Sequence, residues 1–329
     1  CADGSTQPGP FTAGAILPGM LVSLVRAALV AEGLLIAGLA AGLSAHGWSL
    51  PAAIAAPVAL ALGVRLAIVC FSMAVAHLAR SPRELAEQLG PGGTLALVLG
   101  EWRAMLANNL FYLPLENLAL PADPPRGRPT GVAVLVVHGY FSNRGILRGV
   151  VRSLATRGAR PVYTFNFRGL FRPIEDLAEQ LAGEVDLIVR PGGATSVVLV
   201  AHSMGGLVAR AYLARHGTGS VARLVTVASP HHGTRLAKLG LGANARQMRE
   251  DSDFLATLRR REGAAGPACP VTSVYSVHDN LVSPQATSRL PWARNVALRG
   301  VGHVDILLDA RLHAIVADEA RAAGVAFGA

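Results

Sequence analysis

Charge is scarce in this sequence. Asp, Glu, Lys and Arg make up 16% of 329 residues, where ordinary soluble domains carry about a quarter. Apolar residues reach 51% but aromatics only 5%, so the hydrophobicity is that of Ala, Leu and Val. A disordered chain needs low hydrophobicity and is excluded; the balance leans toward a membrane. Lysine is almost missing, with one Lys against 29 Arg. Such a bias is typical of GC-rich coding, so little chemistry is read into the choice of Arg. Cysteine is limited to Cys1, Cys70 and Cys269, an odd and widely spaced set that excludes a disulfide framework or a zinc site. Cys70 lies in an apolar run and reads as a small buried hydrophobe. Cys1 reads either as the first residue of a mature bacterial lipoprotein, with residues 2–10 as its polar tether, or as an arbitrary chain start.

The charge that is present is unevenly spread. Residues 1–127 hold 6 Arg and 7 acids, net −1, whereas residues 128–329 hold 24 basic residues and 14 acids, net +10. A basic half beside an apolar half suits anionic lipid head groups. Nucleic acid is not expected, because the Arg residues are scattered and no binding motif interleaves them with aromatics.

Between residues 11 and 50 only Arg26 and Glu32 are charged, and between 50 and 79 only Arg65. Each stretch exceeds the ~20 residues an apolar helix needs to cross a bilayer. The segment between them offers Gly47 for a helix end, Trp48 for an interface and Pro51 for a first turn. The expectation is a transmembrane hairpin with helices at about 16–43 and 51–79. Gly33, Gly38 and Gly42 are expected to let the helices approach closely. Two very apolar core helices of a soluble domain are the competing reading. Glu32 precedes Trp48 by 16 residues and Arg65 follows it by 17. Antiparallel helices therefore bring these charges to one depth, and they are expected to pair.

Residues 82–118 read as amphipathic, interfacial or docking helices. Ser81, Pro82 and Glu84 serve as N-cap, N1 and N3 of the first; Pro91-Gly92-Gly93 ends it, and 94–113 forms the next. Residues 121–129, rich in Pro, form a stiff linker. The expected organisation is a helical membrane-anchor region at 1–127 and a second domain at 128–329. There the texture changes to short β-branched runs at 132–137, 161–166, 196–200, 224–228, 271–277 and 295–298. Helix-length segments separate most of them, at 143–157, 174–189 and 207–216. Alternation of this kind predicts an α/β fold with a mostly parallel sheet and helices on both faces.

The most informative segment is Ala201-His202-Ser203-Met204-Gly205-Gly206, where a β-run meets a helical pattern. It fits a nucleophile elbow, with Ala201 where Gly is more usual. Small residues two before and two after let the turn strain Ser203 and hold its hydroxyl out. A serine needs a base, and the base an orienting carboxylate, in the chain order Ser, acid, His. His303 in the loop after the last strand is the expected base. Asp279, directly after a β-run, is the expected acid, with Asp305 and Asp309 as rivals. The amides of Met204 and of Tyr140, turned inward after Gly139, are the expected oxyanion donors. His138, which precedes the serine, and His313, in a helical pattern, read as structural. Residues 233–262 are long enough for a small cap. Leu236, Leu239, Leu241 and Met248 are candidates for an acyl pocket, with Phe141 and His202 as further substrate contacts. His231 and His232 read as loop packing, with no metal; a lipase-type calcium stays open on sequence alone.

With these residues in view, the sequence resembles the lipase/esterase branch of the α/β-hydrolase superfamily over about 130–310. The resemblance rests on His138-Gly139-Tyr140, Ala201–Gly206, Ser229-Pro230-His231-His232-Gly233-Thr234, Asp279 and Gly302-His303. It implies an α/β-hydrolase fold, carboxylic ester hydrolysis by Ser203, Asp279 and His303, and no organic cofactor. The apolar N-terminus departs from secreted lipases and looks like membrane-tethered lipase-like hydrolases of proteobacteria. The implied partners are an acyl-ester or lipid substrate and membrane lipids. The same residues also serve an acyltransferase, a thioesterase or a decayed, non-catalytic scaffold. Arg80, Arg83 and Arg103 after the second span, with no Lys or Arg at 44–50, place the hydrolase on the cytoplasmic face of a bacterial inner membrane; a lipidated Cys1 demands the opposite side.

Overall fold

Two long helices open the computed structural model, which describes residues 19–126, 130–191 and 193–328. Cys1 and its tether, residues 16–18 of the first expected helix and the 127/128 boundary lie outside the described residues. Helices α1 (Met20–Ala45) and α2 (Leu50–Leu78) form a hairpin, closed by Gly47 at φ 88° and started again with Pro51 in the first turn. At ~1.5 Å per residue each exceeds the ~30 Å of a bilayer's hydrocarbon core. They are not core helices: Leu34, Leu35, Leu60, Val64 and Ile68 are all exposed. Cys70 is exposed as well, contrary to the expectation for it, because it lies on this outward surface. Arg65 donates to both carboxylate oxygens of Glu32 at 2.6 Å and also to the Ala61 carbonyl at 3.1 Å. The two charges thus meet as their depth predicts. The glycine expectation fails: a Cβ on Gly33, Gly38 or Gly42 would meet nothing within 4 Å. These glycines border open space, while Ala40 of α1 and Ala53 of α2 are buried.

The next segment also differs from expectation. Residues 82–90 form only a short 3-10 turn, capped reciprocally by Glu84 and Glu87. Ser81 is drawn instead against the second half of the chain, where its amide donates to Gln285 and its hydroxyl accepts from Ala286 N–H. Pro91 does not break a helix but starts one, α3 (Pro91–Ala107), as its locked φ allows at N1. A π-helical turn, Asn108–Tyr112, continues α3, and α4 (Glu116–Ala119) follows. The expected linker is pinned down: the Asp123 carboxylate accepts the amide and hydroxyl of Thr164 at 2.9 and 3.0 Å.

The remainder is layered about a sheet. Strands β1 (Thr130–Val137), β2 (Ala159–Arg160), β3 (Val162–Thr164), β4 (Ala194–His202), β5 (Val221–Val227), β6 (Val271–Ser276), β7 (Arg294–Leu298) and β8 (Ala326–Phe327) follow in sequence. Six of them form a parallel sheet in the order β3-β1-β4-β5-β6-β7; β2 and β8 pair separately. Each of the six β-runs expected from sequence becomes one of its strands. Alternation along β1 serves two cores. Ala133, Leu135 and Val137 pack toward α6 (Ile174–Val189) and α7 (Met204–His216), whereas Val134 and Val136 pack toward α5 (Arg148–Thr156) and α10 (Ala310–Ala322), with α8 (Gly242–Gln247) and α9 (Asp253–Glu262) between α7 and α10 in sequence. The carboxyl ends of β1, β4 and β6 lie together at one edge, the place where ligands meet open parallel sheets.

Candidate active site

Strand β4 runs into helix α7 with one residue between them, Ser203, at φ 57° and ψ −127°. A non-glycine residue there stores about 1–3 kcal/mol of strain. The turn tolerates no bulk beside it: a Cβ on Gly205 would lie 2.7 Å from the His138 carbonyl. The hydroxyl sits 3.0 Å from His303 Nε2. His303 Nδ1 in turn lies 2.9 and 3.1 Å from the two carboxylate oxygens of Asp279. Asp279 Oδ1 also accepts the amides of Leu281 and Val282 at 2.8 and 2.7 Å, which fixes the carboxylate. The rivals are used elsewhere. Asp305 lies 3.6 Å from Arg103, and Asp309 caps α10.

Electrostatics separates the histidines. For His303, burial pulls the pKa down, but the charge and hydrogen bond of Asp279, with the Glu101 charge, prevail and raise it. Burial leaves His138 neutral, near pKa 4, holding the Gly139 carbonyl through Nδ1 and accepting Phe167 N–H at Nε2. His202 is likewise held well below its ordinary value, by burial and then by the neighbouring His303 charge. Its Nε2 donates to the His303 carbonyl at 3.2 Å. Staying neutral, His202 supports the ring of His303 without opposing a positive charge there. His231 and His232 turn to different partners, Thr226 and the Arg289 carbonyl.

Gly139 presses against the elbow, where a Cβ would lie 2.8 Å from Ser203 Cβ and 3.3 Å from Met204 N. Met204 N–H is the first of its helix and has no intrahelical acceptor. Among the described residues neither it nor Tyr140 N–H is bonded to another group. A cleft of about 590 Å³ opens over Ser203 and His303. Phe141, His202, Leu236 and Met248 all line it, as does Leu239. Leu241 does not: its backbone is held by the Tyr140 hydroxyl, which accepts Leu241 N–H at 3.0 Å and donates to its carbonyl at 2.9 Å. The side chain is left exposed.

Sequence reasoning missed the contribution of the N-terminal helices. Val25 of α1, Met105 of α3 and Asn108, Asn109 and Leu113 beyond it form one wall of the cleft. Glu101 of α3 is fully buried under the His303 loop and accepts the amides of Val304 and Asp305 at 3.0 and 2.9 Å. Asn280 accepts His303 N–H at 2.9 Å and donates to Ser72 of α2 at 2.9 Å. A lone acid in an apolar helix was the only signal available for Glu101.

A family model described as alpha/beta hydrolase fold matches residues 132–254. The chain is 31% identical to mouse lysosomal thioesterase PPT2 over 41% of its length and 46% of the relative's. It is 32% identical to a triacylglycerol lipase of Pseudarthrobacter phenanthrenivorans over 33% of its length and 36% of the relative's. The chain thus spans less than half the length of these curated relatives. The crystal structure of Aspergillus fumigatus lipase B superposes with a TM-score of 0.50 at 19% identity, covering 60% of this chain and 54% of that one. Residues 132–254 thus carry the alpha/beta hydrolase fold, and a lipase and a thioesterase are among the proteins this part of the chain is similar to.

Proposed function

We propose that the protein is a membrane-tethered serine hydrolase that cleaves esters of apolar acyl chains. The observation that carries this reading is the unbroken line Ser203–His303–Asp279, at 3.0 and 2.9 Å, on a strained strand–helix turn. Ser203 Oγ attacks the ester carbonyl while His303 Nε2 takes its proton. The amides of Tyr140 and Met204 hold the oxyanion, each worth roughly 3 kcal/mol. His303 then protonates the departing alcohol, and the acyl group stays on Ser203. Water, deprotonated by the same nitrogen, releases the acid, and the serine recovers its proton. Asp279 keeps the imidazole oriented and stabilises its charged form.

The apolar walls of the cleft, from Leu236, Leu239 and Met248 to Val25 and Met105, favour a hydrocarbon acyl chain. Two helices of spanning length with outward apolar faces favour a membrane anchor. Both join the hydrolase at their far ends from the hairpin turn. Gly19–Val22 lie beside Phe141, and Ala76 and His77 lie beside Asp279. In an embedded hairpin the cleft is then at the membrane surface, within reach of lipid esters. The cytoplasmic face of a bacterial inner membrane remains our assignment, on Arg80, Arg83 and Arg103.

The test is a p-nitrophenyl ester series of graded chain length with fluorophosphonate labelling. Wild type is expected to prefer medium or long chains and to label; Ser203→Ala is expected to do neither while folding normally. Labelling that survives the substitution refutes the nucleophile. The likeness to a thioesterase favours one second reading, thioester cleavage by the same residues. Acyl-choline and acyl-thiocholine of equal chain length separate the two.

A further inference from the structure

We propose that Glu101, on the helix that follows the hairpin, is a positioning residue for His303: it holds the loop that carries the imidazole and adds a second negative charge beneath it. The inference rests on the serine hydrolase reading above. The carboxylate has no exposure to solvent and no Lys or Arg partner among the described residues. Its ligands are backbone amides. Val304 N–H reaches both oxygens, at 3.1 and 3.0 Å, and Asp305 N–H reaches Oε2 at 2.9 Å. These amides directly follow His303. The residue before it is equally constrained: a Cβ on Gly302 would overlap Glu101 Oε2 and lie 3.0 Å from Asn280 Oδ1. Glycine is thus required at 302 by close approach of the carboxylate. The His303 amide is held by Asn280, itself tied to Ser72 of α2. Residues 302–305 are therefore clamped between Glu101, delivered by α3, and Asn280, which Ser72 of α2 holds.

A buried carboxylate with two amide ligands and no counter-cation is an expensive way to hold a loop. A neutral amide side chain or a water would serve for support alone. The charge gains a use when His303 becomes an imidazolium in the transition state. Four other groups share this environment. Asp279 faces Nδ1 of the ring at 2.9 Å, neutral His202 lies tilted against it with ring centroids 4.9 Å apart, and Asp305 is paired with Arg103. Burial raises the Glu101 pKa to about 7, against the lowering effect of the Asp305 and Val304 amides and the His303 charge. The carboxylate thus changes charge near neutrality, beside an imidazole whose own pKa is raised. Its ionised form raises the His303 pKa, so removing the charge must lower it.

The experiment uses the full chain in detergent or liposomes and compares wild type with Glu101→Gln, which is isosteric and neutral. The expected result is a kcat lowered roughly 10- to 100-fold, because the imidazolium loses a stabilising charge while the loop keeps an acceptor, with KM little changed. The acid limb of kcat/KM is expected to move to lower pH, a shift that loss of mere support does not produce. Wild-type kcat and an unmoved acid limb overturn the proposal. Should Glu101→Gln fail to fold, Glu101→Asp carries the same test, since it keeps the charge but withdraws it from the amides. Lowered kcat with an acid limb still in place supports the role; undiminished kcat overturns it. A wild-type protein that neither hydrolyses esters nor labels with fluorophosphonate points instead to failure of the hydrolase reading itself.

Discussion

Ten histidines occur in this chain, and burial with a chosen partner decides what each can do. His138, His202 and His231 are buried without a facing carboxylate, and their pKa values fall. His303 is as deeply buried, but Asp279 faces it and its pKa rises. A base must be neutral to accept the serine proton. Ester hydrolysis is therefore expected to rise with pH through a pKa above the ordinary imidazole value of 6.5, which a kcat/KM profile measures. A limb below pH 6 contradicts the electrostatics. Asp279→Asn is expected to lower kcat by about 10⁴-fold; Asp305→Asn, whose side chain faces Arg103, is expected to stay within a few-fold of wild type. The residues of the candidate triad were legible in the sequence. Ser203, Asp279 and His303 each follow a β-run, in the chain order that this topology demands. Glu101 and Asn280 were not, because they act through partners that lie up to 208 residues away in sequence, on other elements. Periodicity reports which face a residue occupies and not what that face meets.

At the scale of elements, the hairpin shows which patterns carry through. Helix lengths, the Gly47 turn and the Glu32–Arg65 pair were legible because rise per residue fixes depth. The glycine contacts were not, since small residues permit close approach without saying where the partner helix lies. The ion pair gives a measurable consequence. In a bilayer, Glu32→Leu or Arg65→Leu alone strands a charge, at a cost of about 2–3 kcal/mol. Each single variant is expected to lower thermal stability in liposomes, and the double variant to regain most of the loss. Additive losses mean that the contact at 2.6 Å contributes nothing. The cap segment offers a second case. Tyr140 brackets Leu241 with two hydrogen bonds, each worth about 1 kcal/mol. Tyr140→Phe removes both and keeps the backbone amide. KM for long-chain esters is expected to rise several-fold, with short-chain esters affected less, in the same p-nitrophenyl series. Equal effects on both would mean that the segment does not contact the acyl chain.

At the scale of the whole molecule, the division into an anchor and a catalytic domain, natural from composition, understates how the two halves are joined. The shift from apolar helices to alternating strands near residue 128 is real, but the linker before it is pinned by Asp123 to Thr164. Arg83 donates to the Val277 carbonyl at 2.8 Å, Ser283 to the Ala76 carbonyl at 3.2 Å, and Asn143 to the Leu113 carbonyl at 2.9 Å. A Cβ on Gly145 would overlap the Tyr112 carbonyl. These contacts fall on the two loops that carry Tyr140 and Asp279, Glu101 holds the loop that carries His303, and the cleft itself takes a wall from α1 and α3. Removing residues 1–127 would strip Asn280 of Ser72 and the Val304 and Asp305 amides of Glu101, so that the loops carrying Asp279 and His303 lose the groups that hold them. An anchor that merely tethers an enzyme can be cut away with its turnover intact. Here the fragment 128–329 is expected to lose fluorophosphonate labelling and ester hydrolysis, and the two are expected to return in part when residues 1–127 are co-expressed as a separate chain. Full activity of the fragment alone would show that the helices hold the protein at the membrane and do nothing more.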